Sequence, residues 1–129
     1  MIFKNYSESA KLLSDKITEE GIVNPIFTFI NPDAENYCKL ISPSAIPFNL
    51  LNLPSPSTLI ILDDGSTNSS EYIEFTNQIR KKYPETFIVI AIPVIPESDK
   101  NLLESACDSL LFLHADPLFF SVNQFYQEH

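Results

Sequence analysis

The run Asp63-Asp64-Gly65-Ser66-Thr67-Asn68-Ser69-Ser70 is the densest concentration of potential chemistry in the chain. Carboxylates accept hydrogen bonds from sugar hydroxyls, and the hydroxyl and amide side chains that follow can surround an anion. The run comes directly after Thr58 to Leu62, a threonine followed by four aliphatics that reads as a fully buried parallel strand. It leads into a segment from Ser69 to Tyr83 in which Tyr72, Phe75, Ile79 and Tyr83 trace one helical face, stopped by Pro84. Two acids therefore end a strand, and a small-residue loop delivers the chain to a helix N-terminus. The free N–H groups and positive dipole end of such a helix attract phosphate, so the arrangement suits a sugar phosphate. Two structural alternatives stand beside this one. Asn68 and Glu71 have the spacing of a capping box, which would spend the same N–H groups internally, and Asp63 and Asp64 are ordinary strand-terminating turn residues.

The elements that must position this loop follow from periodicity. Tyr6, Ala10, Leu13 and Ile17 share one helical face, with Asn5 and Glu8 spaced as a capping box at the start and Gly21 as the left-handed stop. Ile22 to Ile30, closed by Asn31-Pro32, is a buried strand, and a short helix runs from about Asp33 to Ile41. Four prolines between Ser42 and Ser57 leave a loop with at most a short strand around Ile46 to Leu50. Phe87 to Ile92 is the next strand, Pro96 opens a helix that carries Leu102, Leu103 and Ala106 inward, and Ser109 to Leu113 is the last strand. Continuous apolar strands alternating with amphipathic helices predict an α/β fold, a three-layer parallel sheet with helices on both faces, over residues 1–129 as a single domain. Ligands bind such sheets beyond the carboxyl ends of the strands. That adds Asn31-Pro32-Asp33 and His114 to Asp116 to the residues of interest, His114 as a candidate acid or base.

Composition excludes several classes. The chain has 129 residues, 44% of them hydrophobic and 19% charged, which are globular values despite ten prolines. Eight basic against seventeen acidic residues give a net charge of −9, which repels nucleic-acid backbones and anionic membranes. Only Gly21 and Gly65 are glycines, so neither a Walker loop nor a dinucleotide fingerprint is present. Cys38 and Cys107 sit among apolar neighbours with no metal-ligand spacing and read as core residues. Regular charges from Lys4 to Lys16 interrupt any signal-peptide apolar stretch, and Phe87 to Ile95 is too short for a bilayer span, so a cytoplasmic protein is expected. Arg80-Lys81-Lys82 falls in a last helical turn, where cations complement the dipole. Phe119, Phe120, Phe125 and Tyr126 are expected to fasten the C-terminal tail to the sheet.

Leu59-Ile60-Ile61-Leu62-Asp63-Asp64-Gly65 resembles the signature of the type I phosphoribosyltransferase family. The strand Phe87-Ile88-Val89-Ile90-Ala91-Ile92-Pro93-Val94 and the tail Leu118-Phe119-Phe120-Ser121-Val122-Asn123-Gln124-Phe125-Tyr126 resemble that family too, the tail being similar to one bacterial and archaeal branch. The resemblance covers about residues 58–128 and, less closely, residues 3–32, where Phe3 to Leu13 resembles the same branch's opening. It implies a core that binds phosphoribosyl pyrophosphate with magnesium and transfers ribose 5-phosphate to a base. By position, Asp63 and Asp64 would hold the ribose hydroxyls, and Gly65, Ser66, Thr67, Asn68, Ser69 and Ser70 would cradle the 5′-phosphate.

This chain departs from that pattern. The family usually has glycine where Ser69 stands and threonine where Glu71 stands. A carboxylate about 4 Å from one phosphate charge costs on the order of 4 kcal/mol at an effective dielectric near 20, roughly a thousandfold in affinity. The place of the pyrophosphate loop holds Asn31-Pro32-Asp33-Ala34-Glu35, two acids and no cation, and the proline-rich stretch leaves no recognisable hood. The expectation is a phosphoribosyltransferase-like protein impaired or inactive in catalysis, retaining weak binding of a ribose phosphate or nucleotide. The alternatives are an active transferase of nucleotide metabolism, with Mg2+ brought by phosphoribosyl pyrophosphate, and a homodimeric interaction module.

Overall fold

Every strand of the sheet is parallel to its neighbours, because each connection between adjacent strands passes through helical or irregular chain on one face or the other. A computed structural model describes residues 2–54 and 56–128. In chain order the elements are α1 (Tyr6–Glu19), β1 (Ile26–Phe29), α2 (Glu35–Ile41), β2 (Ile46–Pro47), β3 (Thr58–Leu62), α3 (Ser69–Lys82), β4 (Phe87–Pro96), α4 (Lys100–Ser105) and β5 (Ser109–Asp116), with single 3-10 turns before α2 and α4, after β2, and at Val122–Phe125. The sheet order is β2-β1-β3-β4-β5. The chain moves outward from β1 in one direction to β2, then returns to β3 and continues the other way. The topological switch point therefore lies between β1 and β3, at the carboxyl ends where Asn31 and Asp63 emerge.

Alternating side chains of the central strands supply two cores. Ile60 and Leu62 of β3 and Val89 and Ala91 of β4 pack with Leu13 and Ile17 of α1 and Cys38 of α2. Leu59 and Ile61, with Ile88, Ile90 and Ile92, pack with Tyr72 and Ile79 of α3 and Leu103 of α4. Helices thus cover both faces, giving the three-layer α/β architecture. Among the described residues no helix is long and apolar enough to cross a membrane. A third cluster of Phe3, Val94, Val122, Phe125 and Tyr126 docks the two chain ends at the carboxyl rim of the sheet. There the Phe3 N–H donates to the Phe125 carbonyl at 2.7 Å and the Gln127 N–H to the Phe3 carbonyl at 2.9 Å. Cys38 is buried and Cys107 partly so, both as free thiols, and burial pushes the Cys107 thiol up to about 11.

Several elements differ from their sequence-based outlines. β1 spans Ile26–Phe29 rather than Ile22 to Ile30, because Asn24 takes a left-handed φ of 51° ahead of Pro25 and turns the chain. Strand pairing in the proline-rich stretch stops at Ile46–Pro47, and Phe48–Leu50 is a 3-10 turn. β4 runs on to Pro96 and β5 to Asp116, since the two continue to pair as Val94↔His114, Ile95↔Ala115 and Pro96↔Asp116. The β3–β4 ladder ends at Leu62↔Ala91, so Pro93 and Pro96 lie beyond β3 and owe it no N–H donor. Tyr6 and Leu102, expected inside, are 40% and 38% exposed. Phe125 and Tyr126 are buried as tail anchors and Phe119 packs partly on them, whereas Phe120 points outward. At the sheet's open edge the Lys16 ammonium donates to the Phe112 carbonyl at 2.9 Å, with Lys100 also near that ring.

Ile90 is fully buried between the layers and Phe120 is 84% exposed. Ile90→Ala should destabilise the fold by about 2–5 kcal/mol through lost burial and the cavity left behind. Phe120→Ala should stay within about 0.5 kcal/mol. Urea unfolding of both variants checks the assignment of inside and outside.

Candidate functional site

Asp63 and Asp64 leave the carboxyl end of β3 side by side, both buried, at 2% and 8% exposure. Asp63 is bound entirely by its own chain. Its Oδ1 accepts the Asp64 N–H at 2.9 Å, and its Oδ2 accepts the Thr67 N–H at 3.2 Å and the Tyr72 hydroxyl. Tyr72 belongs to the buried face of α3, so one carboxylate joins the strand end, the loop and the following helix. Asp64 differs in having one oxygen used: Oδ1 accepts the Ser66 N–H at 2.9 Å and the Ser66 hydroxyl at 2.5 Å. Gly65 between them has φ 103°, and a Cβ there would lie 2.8 Å from the Val94 carbonyl oxygen. This glycine lets the loop rest on β4.

Most of the rest of the loop is also engaged, although the Thr67 hydroxyl is buried without a hydrogen-bond partner. Asn31, emerging from β1, donates its side-chain amide to the Ser66 hydroxyl at 3.0 Å, which ties the two loops together across the switch point. Asn68 caps α3 by accepting the Ser70 N–H at 3.1 Å and the Ser70 hydroxyl at 3.0 Å. The Glu71 N–H goes to the Asn68 carbonyl at 3.0 Å, so the side-chain pairing expected of a capping box at Asn68 and Glu71 is replaced by this tighter turn. Glu71 itself is exposed. Ser69 is buried and donates to Asp99 Oδ2 at 2.8 Å, so a carboxylate from the turn before α4 stands against the first residue of α3. The N–H groups of Asp64, Ser66, Thr67, Ser70 and Glu71 are thus all satisfied by oxygens of the chain.

Burial pushes the Asp63 carboxyl up to about 6 from its ordinary 3.8, against the pull of its hydrogen bonds from Thr67 and Tyr72. Burial likewise raises the Tyr72 phenol far above its usual range. Three more tyrosines gather near Asp64. Ser9 of α1 shares hydrogen bonds with the hydroxyls of Tyr37 at 3.0 Å and Tyr126 at 2.8 Å, and the Tyr6 ring meets those of Tyr37 and Tyr126 edge-on. Burial first, and then the Asp64 charge, raises the Tyr6 phenol. Burial also pushes the Tyr126 phenol up to about 12. Beside this group lies a cleft of about 360 Å³ lined by Tyr6, Asp64, Gly65, Ser66, Phe119, Ser121, Val122 and Asn123.

The structure therefore brings Asp63 through Ser70 together as one closed loop. His114 lies within β5 rather than beyond it, in register with Val94, and pairs with Asp116 at 2.8 Å. Asn31 reaches the loop, whereas Asp33 turns into the 3-10 start of α2, its N–H on Asn31 Oδ1. Arg80 sits at the far end of α3, 3.5 Å from Asp108. Sequence reasoning missed Asp99, Ser9 and Tyr37. A buried serine inside the α1 stripe was the one available signal for the tyrosine group, and nothing local marked Asp99. For magnesium with a diphosphate, both Asp63 oxygens already accept hydrogen bonds in a buried setting, and Asp64 offers one oxygen without a bond. Among the described residues no group of three or more His, Cys, Asp or Glu side chains is arranged to hold a metal. The residues do not fit that group.

No family model matches the chain, and no curated protein does. The crystal structure of TT1426 from Thermus thermophilus is similar in fold, with a TM-score of 0.80 at 11% identity over 98% of this chain and 90% of that one. At that identity the likeness extends to architecture alone.

Two outcomes follow from the loop. A carboxyl whose folded pKa lies above its unfolded value stabilises the fold through its proton. That contribution is complete below about pH 4 and is lost as pH rises through about 6. Stability of the wild type relative to Asp63→Asn should accordingly fall by up to about 3 kcal/mol across that window. Thermal melts of both proteins from pH 4 to 7 test this, and a constant difference would remove the effect from Asp63. Gly65→Ala should cost on the order of 2–3 kcal/mol, from positive φ and the collision with Val94. An unchanged urea midpoint would show that the loop does not rest on β4.

Proposed function

We propose that this chain is a phosphoribosyltransferase-like domain that does not transfer ribose phosphate, its ancestral crevice being filled by its own side chains. One observation carries the reading: of the loop N–H groups that would receive a 5′-phosphate, those of Ser66, Thr67 and Ser70 are satisfied by Asp64, Asp63 and Asn68, and Asp99 stands against Ser69 at the start of α3. Transfer from phosphoribosyl pyrophosphate needs charge stabilisation of a leaving diphosphate and exact positioning of the ribose. Here Asp63 has both oxygens committed, and the Asn31–Ser66 hydrogen bond spans the crevice where the ribose would lie. An incoming anion would also meet Asp64, Asp99 and a net charge of −9. Fold and function are separate properties, and the same sheet serves here as a scaffold for a different surface.

Thermal melting with phosphoribosyl pyrophosphate and magnesium decides the matter. A ligand at about 100 times its dissociation constant stabilises by roughly 2.7 kcal/mol. The expected result at millimolar ligand is an unchanged midpoint. A rise of several degrees that Asp64→Asn abolishes would establish a working ribose-phosphate site instead.

A further inference from the structure

The cleft beside Asp64 has a chemical character opposite to that of a phosphate site. Its walls are Tyr6, Phe119, Ser121 and Asn123, with Gly65 and Ser66 below. A neighbouring hollow of about 370 Å³ shares Tyr6 and Asn123 and ends at Glu128, which accepts a hydrogen bond from Asn5 at 3.2 Å. Among the described residues no Lys, Arg or His lines either of them. Folded proteins pair their buried charges, since desolvation is otherwise uncompensated. Asp64 breaks that rule. It is 8% exposed, its Oδ1 is met only by the neutral Ser66 donors, it has no ion pair among the described residues, no hydrogen bond among them engages Oδ2, and the residue lines the cleft. Tyr6 and Phe119 contribute aromatic side chains to the same cleft. An ammonium gains both from a carboxylate and from neighbouring aromatic rings.

We infer that this cleft binds a small organic cation, a primary ammonium on an aryl or alkyl stem, with Asp64 pairing the ammonium and Tyr6 and Phe119 covering the stem. A volume near 360 Å³ matches a small molecule. The net charge of −9 draws cations toward the surface and repels the anions that a ribose-phosphate site would need. The inference builds on the filled crevice proposed above, because it uses the one Asp64 oxygen that the filling leaves over.

Tyramine is a suitable probe, with tyrosol, its neutral alcohol counterpart, as control. Titrated into the isotope-labelled full chain, tyramine should give saturable NMR shifts at Tyr6, Gly65, Ser66 and Phe119, and tyrosol should bind at least about tenfold more weakly. Asp64→Asn keeps an oxygen for the Ser66 bonds and should weaken tyramine by a similar factor. Asn123→Lys, an exposed change on the cleft wall, supplies an internal ammonium and should do the same without lowering the melting temperature. If Asp64→Asn fails to fold, Asn123→Lys decides. Equal binding of tyrosol, undiminished binding by a folded Asp64→Asn or by Asn123→Lys, or no saturable binding of tyramine overturns the inference. A failure with tyramine leaves the non-catalytic reading standing, whereas stabilisation by phosphoribosyl pyrophosphate overturns that reading on its own.

Discussion

The buried carboxylate of Asp63 is the constraint on which the carboxyl rim of this sheet depends. It sits where β3 ends, where a chain leaving a parallel sheet must satisfy N–H groups that the ladder no longer reaches. By accepting from Asp64, Thr67 and Tyr72 it folds the loop back, fixes the start of α3, and pins that helix to the strand it follows. Removing an ion of this kind from water is costly, and three donors offset the cost by holding the charge in place. Burial wins part of that contest, which is why the carboxyl is pushed up to about 6 rather than resting near 4.

The same arrangement explains why a fold suited to ligands at its switch point is occupied there by its own side chains. Asn31 and Ser66 meet across the crevice, Gly65 lays the loop on Val94, and Asp99 takes the buried Ser69 hydroxyl. Each bond spends a group that could otherwise face solvent. Open space is displaced sideways to the region between the loop, the start of α1 and the tail anchored by Phe125 and Tyr126. That region is made from three distant parts of the chain, so its polarity is a product of tertiary packing.

This division also sets what could be read in advance. The strand Thr58–Leu62 and the helices α1 and α3 were legible to within a residue or two, because their apolar spacing and their stops at Gly21 and Pro84 are local. The parallel three-layer arrangement followed from continuous apolar strands. β1 was overdrawn because hydrophobicity alone does not reveal the turn at Asn24, and β4 and β5 were cut short because each extends only by pairing with the other. Asp63 and Asp64 were found as candidates, yet their opposite fates depend on Tyr72 and Ser66 choosing between them. The roles of Ser9, Tyr37 and Asp99 arise from contacts across 28 to 117 residues, which no periodicity encodes.

Among the described residues β5 is the one long strand with an unpartnered side, and it is rich in leucine. Such borders recruit foreign strands unless something blocks them. The ammonium of Lys16, seated on the Phe112 carbonyl and above its ring, does so near the strand's midpoint. Any chain adding to that margin must first displace a cation already bonded to main chain, so one lysine from the first helix raises the cost of extending the sheet there.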